Sequence, residues 1–161
     1  MDSQVNAKTI ESSTTEQIHI VMPQHLNGTG RLFGGQLALW IDEVAGVTAR
    51  RHTGKAIVTA AIDNLRFREA VEQDELLIMR GKVTYVGTTS LEVRVDSYVE
   101  DYSGNRKLIN TAFVIQVALG ENGRPCKIPG LIFSTPMEER EFAAGEKRKV
   151  LRHTLNKELY D

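Results

Sequence analysis

Two periodicities divide the chain. Over Gln17–Met22, QIHIVM, the apolar residues Ile18, Ile20 and Met22 fall on one side, the period-2 pattern of a half-buried strand that stops at Pro23. From Gly34 the period lengthens. Leu37, Trp40, Ile41, Val44, Ala45 and Thr48 recur at steps of three and four, which predicts one long amphipathic helix. Arg50, Arg51 and His52 suit its negative C-terminal end, and Gly54 suits its stop.

From Lys55 to Gly120 the pattern is that of strands. Ile57, Val58, Thr59 and Ile62 open a first run, and ELLIMRGKVTYV makes a second. In LEVRVDSYVE the alternation is strict: Leu91, Val93, Val95, Ser97 and Val99 face one way, and Glu92, Arg94, Asp96, Tyr98 and Glu100 face the other, which predicts one wet face. Leu108–Leu119 carries no charge and is apolar on both sides, as expected mid-sheet or against a partner subunit. The turns VGTTS and DYSGN fit antiparallel hairpins.

Beyond Pro129 the composition becomes charged. Thr135 can cap a helix, Pro136 fits its first position, and Glu138 can close a capping box. Acids lead, while Lys147, Arg148, Lys149 and Arg152 trail, matching the helix dipole. The expectation is a solvated surface helix, with a break near Gly145. Strand, long helix and then a run of antiparallel strands form an α+β domain whose sheet wraps the helix. Such a layer leaves its other face partly apolar, which predicts at least a dimer.

Composition narrows the function classes. The chain has 20 Lys plus Arg against 21 Asp plus Glu, with no long basic run before the tail, so a nucleic-acid footprint is not expected. No window approaches the roughly 20 apolar residues of a membrane-spanning helix. Residues 1–15 are polar and read as a disordered lead-in without a targeting signal, residues 16–130 as the folded domain, and residues 131–161 as a helical extension. The single Cys126 has no intrachain disulfide partner, the four histidines are scattered, and no metal is expected. A cytoplasmic protein is the natural expectation.

The candidate chemistry centres on Asp42, a carboxylate inside the apolar helix. Ala38, Ala45 and Ala49 share its helical face, whereas Glu43 and Arg50 share another. A carboxylate in a seam of alanines must be hydrogen-bonded or paired, because an isolated buried charge is expensive. Spacing alone leaves open whether loop groups merely satisfy it or whether it reacts. Gly34 and Gly35 stand where the helix begins, where unpaired amide N–H groups and the dipole favour negative charge or an oxyanion. The glycine-rich segment NGTGRLFGG fits neither the P-loop nor the dinucleotide spacing.

These residues resemble the hotdog acyl-CoA thioesterases, in the branch of the YciA-type and cytosolic brain-type acyl-CoA hydrolases. The resemblance covers Gln17–Pro129. It is carried by Asn27, FGG at Phe33–Gly35 and Asp42 in WIDEVAG, joined by GTTS at Gly87–Ser90 and NGRP at Asn122–Pro125. The chain departs from the family in RFREAV, where Ala70 replaces the usual proline, and at Asp74 and Glu75, where Gly-Asp is usual.

The resemblance implies hydrolysis of a fatty acyl-CoA thioester at a dimer interface, with Asp42 of one subunit working with Asn27 of the other. Asp42 would be general base, or a nucleophile through an anhydride; Asn27 would orient water or carbonyl; and the Gly35 amide would stabilise the oxyanion. Gly34, Thr88, Thr89, Ser90, Arg124 and Lys127 are the residues expected to meet coenzyme A, which enters as substrate and not as cofactor. The self-partner expected is a homodimer, with a trimer of dimers as the family's common form. Two other readings use the same fold: a non-enzymatic acyl-CoA sensor, and a hydratase that would need His25 beside an acid.

Overall fold

The computed structural model describes residues 6–160. The three- and four-residue spacing folds as α1, Gly34–Thr53, and all six residues that define it are buried. The helix ends where Gly54 adopts φ 64°, a left-handed conformation that glycine enters without steric cost, and its N–H reaches the Arg50 carbonyl at 2.8 Å.

Around α1 curls an antiparallel sheet of β2 (Thr15–Ile20), β3 (Ala56–Asp63), β4 (Leu76–Val86), β5 (Ser90–Glu100) and β6 (Arg106–Leu119), in the order β2-β4-β5-β6-β3. Leu77, Met79, Val83, Leu91, Val93, Val95, Ala112, Val114 and Ala118 form its inner face against the helix. At Gly81 the helix and sheet approach so near that a Cβ would stand 2.6 Å from Thr48 Oγ1 and 2.8 Å from Val44 Cγ1. The expected α+β architecture, one helix wrapped by a sheet with a second helix added at the C-terminus, is the one observed. No helix among the described residues is long and apolar enough to cross a membrane.

Three expectations need correction. The lead-in is ordered from residue 8: β1 (Lys8–Thr9) pairs in parallel with β7 (Leu131–Ile132), and Ile10 is only 4% exposed. Ile10 is joined by buried Ser13 and Thr15, and Arg51 of α1 donates to Thr15 Oγ1 at 3.1 Å, so the segment docks through long-range partners that its polar composition does not reveal. The first five residues of that expected lead-in lie outside the described residues. In β2 the period-2 alternation holds, but the faces are inverted. Ile18 and Ile20 are 55% and 52% exposed, whereas the His19 ring stacks on Trp40 at 4.1 Å. A large indole on α1 offers a flat aromatic surface, and the histidine takes it.

The third correction concerns the outer face of β5 and the C-terminal helix. The helix α2, Pro136–Tyr160, starts as expected, with the Glu138 N–H donating to Thr135 Oγ1 at 3.3 Å. It is unbroken through Gly145, which is buried because α2 lies directly on the sheet there; an added Cβ would stand 2.6 Å from Tyr85 Cβ. The face of β5 expected to be wet is therefore covered. Glu92 is 1% exposed, accepts from Thr84 Oγ1 at 2.7 Å, and is held by Arg148 of α2 through Nε at 3.0 Å and Nη2 at 2.7 Å. Arg148 also lies 3.9 Å over the Phe113 ring. Alongside, Glu141 of α2 pairs with Lys82 at 2.7 Å and Arg94 at 2.8 Å, and Arg152 pairs with Asp63.

His52 gives the fold a pH dependence. Its ring is fully buried, and Nε2 lies 2.9 Å from the Pro129 carbonyl, so Nε2 carries the proton, and Nδ1 has no partner among the described residues. Burial lowers its pKa from the ordinary 6.5; the Pro129 hydrogen bond opposes this and the Lys8 charge adds to it. The native state therefore holds the ring neutral, while the unfolded chain takes up a proton below about pH 6.5. Stability contributed by His52 is present above that pH and is lost as the pH falls below it. Urea unfolding of the parent chain should lose free energy between about pH 7.5 and about pH 5.5, and His52→Gln should flatten that slope. An equal slope in the variant would show that another group titrates.

Candidate active site

Asp42 projects from the middle of α1 and is half-buried. Its Oδ1 accepts a 2.6 Å hydrogen bond from the hydroxyl of Thr59, which β3 brings over the helix. Directly across the β3–β6 ladder from Thr59 stands Gln116, fully buried, with Nε2 at 3.1 Å and Oε1 at 3.3 Å from the same hydroxyl. The three side chains line an open groove of about 950 Å³. Gly46 borders this groove one turn along α1 from Asp42, and a Cβ there would meet nothing within 4 Å.

The groove corrects the helical-face expectation. Ala45 and Ala49 point into the core, whereas Glu43 and Arg50 line the groove beside Asp42, and Lys55 joins them from beyond the helix end. Asp42 therefore sits at the border between the core stripe and the exposed stripe. Its wall is β3, an edge strand with no neighbour on its far side among the described residues, and Val58 on that strand is exposed.

The other expected site residues fall into separate groups. Asn27 is exposed, and its Oδ1 accepts from Thr29 N at 2.9 Å, Thr29 Oγ1 at 2.7 Å and Arg31 N at 3.2 Å. That turn consumes the carbonyl end and leaves the amide donors as the free end. Asn27 does not line the Asp42 groove of its own chain. Gly34 and Gly35 open α1 behind Phe33, whose side chain supplies no cap. Gly35 is exposed, with the Phe33 ring against it, so that a Cβ would stand 2.5 Å from Phe33 Cε1.

Thr88 and Thr89 lie in the β4–β5 turn and Ser90 opens β5, and their carbonyls are already used: Ile128 N donates to Thr88 at 3.2 Å, Ala118 N to Thr89 at 3.0 Å and Gly87 N to Ser90 at 2.8 Å. The first of these bonds draws the Arg124 to Lys127 segment beside that turn, with both basic side chains exposed. His25 is occupied otherwise, its Nδ1 accepting from Met22 N at 3.0 Å and its ring meeting Trp40 edge-on at 4.8 Å. Among the described residues no group of three His, Cys, Asp or Glu side chains gathers as a metal site.

Thr59 and Gln116 were not singled out from the sequence, though each left a trace. Thr59 is a hydroxyl in the apolar run AIVTAAI, and Gln116 is the one polar residue between Thr111 and Leu119.

Comparisons with known proteins identify the family and the fold. The thioesterase superfamily model matches residues 29–102. An uncharacterized acyl-CoA thioester hydrolase of Bacillus subtilis, YkhA, is 37% identical over 119 residues, 73% of this chain and 69% of that one. The rat cytosolic acyl coenzyme A thioester hydrolase is 32% identical over 87% of this chain, which spans only 38% of that longer relative.

Among solved structures, an acyl-CoA hydrolase from Staphylococcus aureus in complex with butyryl coenzyme A, coenzyme A and coenzyme A disulfide matches with a TM-score of 0.89 and 29% identity, over 94% of this chain and 93% of that one. Variants of that enzyme with an asparagine, an aspartate or a threonine changed to alanine match as well. A hexameric acyl-CoA thioesterase matches with a TM-score of 0.85 and 32% identity, over 93% of this chain and 97% of that one. By its identity and coverage to these relatives, and by a fold shared along nearly its whole length, the chain belongs to the acyl-CoA thioester hydrolases of the thioesterase superfamily.

Proposed function

We propose that this protein hydrolyses fatty acyl-CoA to the free acid and coenzyme A, with Asp42 as general base. The observation that carries the reading is the Asp42–Thr59 pair in an open groove: a carboxylate aimed by a hydroxyl at a space large enough for a substrate arm. Water attacks the thioester carbonyl as its proton passes to Asp42, the C–S bond then breaks, and the coenzyme A thiolate leaves with the bonding pair. Thiols ionise near pKa of about 8.5, so the leaving group needs little acid help, and the protein's tasks reduce to activating water and holding oxyanion charge. The amides of Gly34 and Gly35 at the uncapped start of α1 supply the second.

Asn27 acts from a second copy of the chain. Support comes from its separation from the Asp42 groove, from its outward amide, and from β3 being an edge with exposed Val58 that a second β3 can extend. The hexameric neighbour is consistent with three such dimers. Of the residues gathered at one end of the sheet, Arg124 and Lys127 are proposed to meet the nucleotide of coenzyme A, and Thr88, Thr89 and Ser90 its arm. The staphylococcal variants at an asparagine, an aspartate and a threonine match the residue types of Asn27, Asp42 and Thr59.

The reading is tested by incubating the purified protein with acyl-CoAs of graded chain length and a thiol reagent. Stoichiometric, continuing thiol release at one or more lengths is expected. Tight acyl-CoA binding with no thiol release would replace the hydrolase with a sensor.

A further inference from the structure

A threonine hydroxyl has one proton and two lone pairs, and it rotates about its Cβ–Oγ1 bond unless its neighbours fix it. Thr59 is fixed from both sides. At 2.6 Å, the distance of a hydrogen bond to an ionised acceptor, its proton belongs to Asp42 Oδ1. That proton cannot also go to Gln116 Oε1, 3.3 Å away, so the bond joining the two side chains is the one in which Gln116 Nε2–H donates to Oγ1 at 3.1 Å. Gln116 is 1% exposed and sits in the β6 ladder between Thr59 on β3 and Leu91 on β5. Among the described residues its side chain has no hydrogen-bond partner other than Thr59. A buried amide with a single client is costly to keep where an apolar side chain of the same volume would serve the core.

We propose that Gln116 is a positioning residue of this hydrolase. By donating to Thr59 Oγ1 it occupies a lone pair of that hydroxyl and commits the proton to Asp42, which holds the carboxylate in the one orientation that faces water in the groove. The relay runs Gln116 Nε2–H to Thr59 Oγ1–H to Asp42 Oδ1, and it polarises in one direction only. This inference rests on the reading of Asp42 as the base.

The test is a double-mutant cycle on the full chain, with the acyl-CoA that gives the fastest thiol release. Gln116→Met keeps the volume and removes the donor. It should lower kcat about tenfold, the weight of one oriented hydrogen bond, and leave KM within about twofold. In a Thr59→Val background, where the relay is already cut, the same substitution should change kcat by less than about twofold. Gln116→Asn, which stays polar but withdraws its amide by one methylene, should repeat the loss, so that poor folding of the Met variant does not decide the matter.

Equal losses in the parent and in the Thr59→Val background would make Gln116 merely structural and overturn the relay. A rise in KM at unchanged kcat would assign it to substrate contact and overturn the relay as well. Full activity of Asp42→Asn would overturn the underlying reading and the relay together; an inactive Asp42→Asn protein with an unaffected Gln116→Met protein would overturn the relay alone.

Discussion

Asp42→Asn should lower kcat by about 10²- to 10⁴-fold, the range attributed to a positioned general base. The substitution is nearly isosteric and keeps an acceptor oxygen for the Thr59 hydroxyl, so circular dichroism and coenzyme A binding should be close to those of the parent. A rate within about threefold of the parent would remove Asp42 from the reaction. The same variant serves the interface question. Asn27→Ala should be impaired on its own, and after subunit exchange a mixture of the two inactive proteins should regain activity, because some mixed dimers hold one site with both residues intact. Confirmed exchange with no recovery would mean that Asn27 and Asp42 do not meet across subunits.

Arg148→Met should cost about 3 kcal/mol of stability, the lower end of the range for stripping one partner from a buried ion pair, since the guanidinium keeps partial solvent access. For a chain of this length that corresponds to a fall in Tm of about 6–12 °C, read by circular dichroism. The cause is Glu92, whose carboxylate would be left beneath α2 with, among the described residues, only the Thr84 hydroxyl. The double substitution Glu92→Leu with Arg148→Met should recover most of the loss, because an apolar pair of similar volume needs no compensation. If Arg148→Met melts within about 2 °C of the parent, α2 is not fastened at this point.

That ion pair also shows why one expectation from the sequence failed. The alternation of LEVRVDSYVE specifies two faces, and the structure has both. It does not say what lies over the polar one. Glu92 and Arg94 look like solvent-facing charges until Arg148 and Glu141, respectively 56 and 47 residues later in the chain, bring a helix down on them. Gly145 was open to the same misreading. In isolation a mid-helix glycine looks like a break, whereas here its missing side chain is what lets α2 approach Tyr85. In β2 the period was again correct and the side was not, since the Trp40 surface drew His19 rather than the aliphatic residues to the inner face.

The site divides along the same line. The register of Asn27, Phe33 to Gly35 and Asp42 lies within sixteen consecutive residues, so it is legible from the chain as a resemblance to the hydrolase family, whereas helical spacing by itself grouped Asp42 with core-facing alanines and not with the groove residues Glu43 and Arg50. Thr59 and Gln116 are 57 residues apart, and only the β3–β6 register makes them neighbours. Local periodicity, capping and turn chemistry, which depend on each residue and its near neighbours, were thus settled by the sequence by itself: the long helix, the strands and the start of α2; the family came from the resemblance of its motifs. Which face is buried, where the groove opens, and which hydroxyl and amide stand behind Asp42 were decided by tertiary structure, because burial and hydrogen-bond partnership belong to whatever distant segment packs on a surface and not to the surface alone.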